Sequence, residues 1–299
     1  MELPSLKHLS YLVALHQHQH FHRAAKACFI SQSTLSSAIL KLEEQLNCQL
    51  LERDHKTFSF TVTGEEVVSK AQQLIVQAKE LKQFAQYQGQ VGCGTVSIGC
   101  IPTIAPYLLS DFSLSCQDEL PDLELFFIED TTENLLLKLA DGSIDIALLA
   151  LPIDGHNFRT KVLGKDPFYI AGDDALVEQF LKTQDYQQVP EASVFLLSKE
   201  HCLTEHALSA CQLGDQSRIH KFSSSSLATL VEMTAFHHGF TFLPKMAVDQ
   251  GIGIRQGLSI KRLPDDMYRE IGMLWRDTSL RQSTFLKLGQ VVSDCLSEK

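Results

Sequence analysis

At 299 residues the chain is too long for one small core and suits two or three domains; its longest apolar run, Ile146 to Leu151, is far short of a membrane span. Net charge is −10 and unevenly shared: residues 1–63 carry six Lys/Arg against five Asp/Glu, and residues 64–299 carry twenty against thirty-one. A near-neutral head on an acidic body has little long-range pull on DNA, which argues against a non-specific nucleic-acid coat and for a reader that uses a few placed contacts.

No apolar signal region opens the chain; His8, His16, His18, His20 and His22 are spread through it instead, and a cytoplasmic protein is expected. Residues 23–53 read as two short helices around a tight turn. Ala24, Ala25 and Ala27 are small enough for another helix to cross closely, and Phe29 and Ile30 are expected to cap the first helix with apolar bulk. Ser31 is a good N-cap for a second helix carrying Leu35, Ile39, Leu42 and Leu46 at three- and four-residue spacing. The other face offers Gln32, Ser33, Thr34, Ser36, Ser37 and Lys41, the small polar surface that a helix-turn-helix sets into the major groove. A helical hairpin with ordinary surface hydroxyls is the plainer alternative.

Beyond Gly64 comes a helix free of Pro and Gly. Val67, Ala71, Leu74, Ala78, Leu81 and Ala85 form a heptad seam, suited to a second subunit or to packing on the helix's own domain. Gly89, Gly92 and Gly94 end it. Strands are expected at 95–101, 123–129, 144–151, 193–197, 240–244 and 271–275. A helix starts near Asp130, with Glu133 completing a capping box, and stops at Asp141-Gly142. This alternation reads as α/β with a mainly parallel sheet.

The chain has eight cysteines and no C-x-x-C pair, which argues against a zinc ribbon or a thioredoxin motif. Most should be buried free thiols. Cys202 and Cys211 look different, because helix-permissive residues fill the gap between them. With Cys202 at the start of such a helix, unpaired N–H groups and the dipole favour its thiolate, and Lys199 and His201 add to the effect. Nine helical positions rise roughly 13 Å, whereas a disulfide holds Cα atoms about 4.4–6.8 Å apart, so bridging the two requires the segment to unwind. Two core cysteines, or a metal site with His206, remain alternatives.

L-x-Y-L-V-A-L (Leu9 to Leu15), F-x-R-A-A (Phe21 to Ala25), S-Q-x-T-L-S (Ser31 to Ser36), K-L-E-x-x-L (Lys41 to Leu46), L-L-E-R (Leu50 to Arg53) and T-x-x-G (Thr61 to Gly64) succeed one another in order. Together they resemble the N-terminal domain of LysR-type transcriptional regulators. The resemblance implies a multidomain α+β chain: a winged helix-turn-helix DNA-binding domain over 1–63, a linker and dimerisation helix over 64–90, and an α/β redox-sensing regulatory domain over 91–299. That last domain would have two α/β subdomains around a cleft, like a type II periplasmic binding protein, crossed near 165 and 268.

H-C-L-x-x-x-A-L-x-x-C (His201 to Cys211), S-L-x-T-L-V (Ser226 to Val231), G-F-T-F-L-P (Gly239 to Pro244), I-P-T-x-x-P-Y-L-L (Ile101 to Leu109) and L-A-D-G-x-I-D-I-A-L-L-A (Leu139 to Ala150) are similar to the hydrogen-peroxide-sensing members of that family. The resemblance implies a peroxidatic Cys202 and a resolving Cys211 that form a reversible disulfide controlling antioxidant genes. Thr103, Thr132 and His201 would hold peroxide, unless the two threonines are helix caps. Gln32, Ser33, Thr34 and Ser36 would lie nearest the bases, with Lys41 and Arg53 nearest phosphates. Implied partners are double-stranded promoter DNA, hydrogen peroxide as signal, RNA polymerase and a glutaredoxin or thioredoxin reductant. Homodimers through the linker helix, assembling into tetramers, are implied too, with no membrane, no cofactor, no metal and no enzyme activity. Three departures from the family pattern bear on affinity and redox tuning: Ser33 stands where proline is usual, Leu40 where a basic residue is common, and Lys221, beside His220, where a histidine is expected. Competing readings are a regulator answering to a metabolite with incidental cysteines, a thiol peroxidase, and a metal sensor built on His16 to His22.

Overall fold

The computed structural model describes residues 3–53, 57–87, 90–153, 158–183, 188–198, 203–204 and 216–297. It divides into two compact units, the first centred on residues 1–89 and the second comprising most of residues 90–299.

In the first unit the apolar periodicity produces three helices, α1 (Leu6–His18), α2 (Phe21–Ala27) and α3 (Gln32–Leu46). Leu12, Leu15, Leu35, Ile39 and Leu42 are fully buried between them, each contributing about 1.5–3 kcal/mol of apolar burial. Ala24 and Ala25 are buried as well, where their small size lets the helices cross closely. Phe29 departs from expectation. It does not cap α2; the turn places it at φ 55 and turns its ring outward, 95% exposed. Next come a two-stranded antiparallel wing, β1 (Leu51–Arg53) with β2 (Phe58–Phe60), and then the long helix α4 (Val62–Gln86).

Thr61 is the pivot between wing and helix. Its N–H donates to Leu50 O at 3.0 Å, its hydroxyl donates to Gln49 O at 2.8 Å and it accepts from Gly64 N at 2.9 Å, capping α4. A Cβ at Gly64 would fall 2.2 Å from Leu50 O, so the T-x-x-G spacing reflects a close backbone approach.

In the second unit β3 (Gly94–Cys100) pairs in parallel with β4 (Leu123–Glu129) and β5 (Ile146–Leu151), and β7 (Val194–Leu197) in parallel with β8 (Ile219–Ser224) and β9 (Phe240–Pro244). The sheet is mixed rather than mainly parallel. The long strands β6 (Phe158–Gly172) and β11 (Tyr268–Arg276), and the short β10 (Ser259–Arg262), make only antiparallel pairs. The strand order is β4-β3-β5-β11-β6-β9-β7-β8, with β10 beside β6. Strand β6 pairs with β11 as far as Pro167 and with β9 from Phe168, so the sheet changes neighbours at 167–168.

One core gathers under β3 and β5 with the helices α5 (Ala105–Glu119) and α6 (Thr132–Ala140). A second gathers around β7 and β9 with α7 (Asp174–Thr183) and α8 (Leu227–Phe236); Tyr107 packs against both. The short helix α9 (Lys245–Asp249) and the last helix, α10 (Gln282–Ser297), complete the unit. The start of α6 also differs from expectation. Asp130 accepts from Thr131 N at 2.8 Å and Asn134 Nδ2 at 2.8 Å and pairs with Lys138, while the Thr131 hydroxyl accepts from Asn134 N at 3.4 Å. Thr131 therefore takes the capping place assigned to Asp130, whose carboxylate is already engaged and held below its ordinary pKa chiefly by Lys138. No helix among the described residues is long and apolar enough to cross a membrane.

Candidate functional site

Two places hold residues to which the sequence assigned a role. On α3, Gln32, Ser33, Thr34 and Lys41 are exposed and Ser36 is half-buried, while Leu35 and Ile39 are buried. Ser31 is the N-cap: its Oγ accepts from Thr34 N at 3.1 Å and lies 2.8 Å from Ser33 Oγ and 2.7 Å from Thr34 Oγ1. Ser33 therefore brings a hydroxyl to the cap where a proline would have brought a fixed φ. Leu40 is exposed, without contributing charge.

Arg53 is exposed on β1, its guanidinium 3.4 Å from Glu43 Oε2 and 6.0 Å from the centre of the Phe21 ring. Glu43 is the residue that motif reading missed. Its Oε1 accepts from Leu50 N at 2.8 Å and Leu51 N at 3.0 Å, so a carboxylate on α3 fixes the start of the wing while its other oxygen faces the Arg53 guanidinium. The L-E-E run following Lys41 carried the signal, a carboxylate one turn before the helix ends. Replacing Glu43 with alanine strands two backbone donors beside buried leucines. The full chain should lose about 1–3 kcal/mol of stability, read by thermal denaturation, and DNA affinity should fall with it.

Part of the histidine run is engaged within the first unit. His16 Nε2 lies 2.8 Å from Glu65 Oε2, and His20 Nδ1 accepts from His22 N at 3.2 Å to cap α2. No group of three His, Cys, Asp or Glu suited to a metal occurs among the described residues.

The second place lies where β6 and β11 meet the loop after β3. Arg269, 1% exposed, donates from Nε to Asp166 Oδ2 at 3.0 Å, from Nη1 to Thr103 Oγ1 at 2.8 Å and from Nη2 to Thr103 O at 2.9 Å. Asp166, 3% exposed, also accepts from Met246 N at 3.1 Å. Burial raises the Asp166 carboxyl, and Arg269 and the Met246 N–H only partly pull it back. Thr103 is buried and is no helix cap: its hydroxyl oxygen is taken by the guanidinium, which leaves the hydroxyl proton to donate. Thr132 is the first residue of α6, half-buried. Neither Asp166 nor Arg269 was read from the sequence, although each is a charge set inside an otherwise strand-like stretch.

His201, Cys202 and Cys211 lie outside the described residues. At the edge of that region Thr204 is buried and its hydroxyl donates to Leu197 O at 2.9 Å. His220 stacks on Phe195 with ring centres 4.3 Å apart and lies 5.0 Å from His237; burial and then His237 lower its pKa. Lys221 is exposed.

The family description of the LysR substrate binding domain matches residues 89–294, and that of the bacterial regulatory helix-turn-helix proteins of the lysR family matches residues 6–65. The chain belongs to the LysR family. Among curated relatives, the HTH-type transcriptional regulator EstR of Acinetobacter baylyi is 33% identical over 95% of this chain and 94% of its own length. The DNA-binding transcriptional dual regulator OxyR of Escherichia coli K12 is 33% identical over 96% and 94%. Among solved structures, the reduced regulatory domain of OxyR2 from Vibrio vulnificus is 43% identical, covers 69% of this chain and 97% of its own, and superposes with a TM-score of 0.65. LysR proteins are DNA-binding transcription regulators rather than an enzyme family, and the exposed hydroxyl face of α3 lies within the matched helix-turn-helix.

Proposed function

We propose that this LysR-family regulator senses hydrogen peroxide through a reversible Cys202–Cys211 disulfide and controls antioxidant genes from the cytoplasm. The observation that carries this reading is the 43% identity with the OxyR2 regulatory domain, found in a chain that also has H-C-L-x-x-x-A-L-x-x-C. The Cys202 thiolate attacks one peroxide oxygen, the O–O bond breaks, and hydroxide leaves and is protonated to water. The Cys211 thiolate then attacks the sulfenic sulfur and a second water leaves. Two thiols lose two electrons and two protons, and the peroxide gains both. Thr103, Thr132 and His201 hold the peroxide. For Thr103, the bond from Arg269 favours this role, because it orients the hydroxyl while leaving its proton to donate.

Gln32, Ser33, Thr34 and Ser36 read base edges of double-stranded promoter DNA, and Lys41 and Arg53 meet phosphates. Subunits pair through α4, and such dimers associate into tetramers. The uncovered seam supports this: Ala71 is buried within its own unit, but Leu74 is 47% and Leu81 60% exposed, with Phe84 beside the seam 42% exposed. Leu81→Glu should raise the dimer dissociation constant about tenfold or more in sedimentation equilibrium; an unchanged constant would remove α4 from the interface. RNA polymerase and a glutaredoxin or thioredoxin complete the cycle as partners.

The test is intact-mass analysis with peptide mapping after one equivalent of hydrogen peroxide. Loss of two hydrogens mapped to Cys202–Cys211, reversed by reductant, is the expected result. Cys100 and Cys116 should stay reduced, because burial pushes both thiols up, that of Cys116 to about 12. Scattered oxidation instead would favour a second reading, a regulator answering to a small ligand. The match to EstR, at the same identity as that to OxyR, is what keeps this alternative in view.

A further inference from the structure

Phe29 sits in the turn between α2 and α3, held there by Phe29 N–H to Lys26 O at 3.1 Å and Ile30 N–H to Ala25 O at 3.0 Å. Its φ of 55 lies in the left-handed region, where glycine and asparagine are at ease and an aromatic residue is strained. Its ring is 95% exposed, while Cys28 and Ile30 on either side are half-buried. An exposed aromatic ring in a strained conformation contributes nothing to this fold. It does lie two residues before the Ser31 cap, beside the exposed Gln32, Ser33 and Thr34, and so continues the surface by which a helix-turn-helix meets DNA. The head offers six cationic residues against five anionic ones, which leaves uncharged contacts to supply much of the discrimination. In the major groove the apolar group within reach of such a ring is the thymine methyl.

We propose that Phe29 is a specificity-determining residue that packs its ring against a thymine methyl at the edge of the sequence read by α3. The inference rests on the reading of α3 as the base-contacting helix.

The experiment uses the full-length reduced protein and a duplex that the wild type selects from a random-sequence library. Phe29→Asn, suited to the left-handed turn, should melt no lower than wild type yet bind the selected duplex about fivefold more weakly. The slope of affinity against salt should not change, since no charge is lost. Uracil in place of the contacted thymine should weaken the wild type by about the same factor and leave Phe29→Asn unaffected. Phe29→Tyr should restore both affinity and thymine preference. Equal binding by Phe29→Asn, or a uracil penalty that persists in that variant or is absent from the wild type, overturns the inference. If the wild type enriches no sequence at all, it is the reading of α3 that fails.

Discussion

Cys202→Ser should lose the peroxide response completely. One equivalent of peroxide leaves its mass unchanged over the time in which the wild type sheds two hydrogens, and promoter output no longer tracks oxidant. Cys211→Ser should instead gain a single oxygen at Cys202, trapped as the sulfenic acid for want of a resolving thiol. The pair of results distinguishes the reactions. A bystander role for both cysteines predicts that neither substitution alters the response, and a peroxidase predicts turnover of many equivalents when reductant is supplied. If Cys202→Ser answers peroxide as the wild type does, Cys202 is not the sensing thiol and the Cys202–Cys211 reading is wrong.

Selectivity among the thiols has a physical basis in burial. Cys100 and Cys116 are buried in the β3–β5 core, where water cannot stabilise a thiolate and Glu129 further disfavours one at Cys100. A thiol ionised only near pH 12, as at Cys116, presents a vanishing nucleophile fraction at neutral pH.

The DNA head was legible because its information is local: alanines, a serine cap and leucines at helical spacing each act over one or two turns. Where local reading failed, a contact distant in sequence was responsible. Nothing within a turn of Phe29 says that the chain must pass through a left-handed conformation there, yet the turn that joins α2 to α3 takes it at φ 55. Strand β6 escaped notice because its first half, F-R-T-K-V-L-G-K-D, keeps no strict alternation and Pro167 interrupts it, whereas the pairing with β11 and β9 that defines it comes from residues roughly 70 to 120 positions away. Thr103 was found from its place after a strand, but the group that orients it, Arg269, is 166 residues further on. Sequence pattern identifies which residues bear chemistry; a long-range partner decides what each can do.

Arg269→Met should be the most destabilising single change in the regulatory domain. It leaves Asp166 buried with only the Met246 N–H, and leaves Thr103 O and Oγ1 without their donor, a loss of about 3–5 kcal/mol. The loss should depend on pH in a stated direction. Burial already raises the Asp166 carboxyl above the roughly 3.9 of an unfolded chain, and Arg269 is the foremost influence opposing that rise. Without it the folded state holds the proton more tightly still. Stability linked to that proton is fully present below the unfolded value and is lost as pH rises through the raised folded value. Chemical denaturation should therefore find the variant closer to wild type at pH 5 than at pH 8. Adding Asp166→Leu, which removes the buried charge as well, should recover much of the deficit and flatten its pH dependence. An equal deficit at both pH values, untouched by the second substitution, would mean that the lost packing of a large side chain, and not the stranded carboxylate, is what the variant suffers. The charge pair would then be incidental to how Thr103 is held.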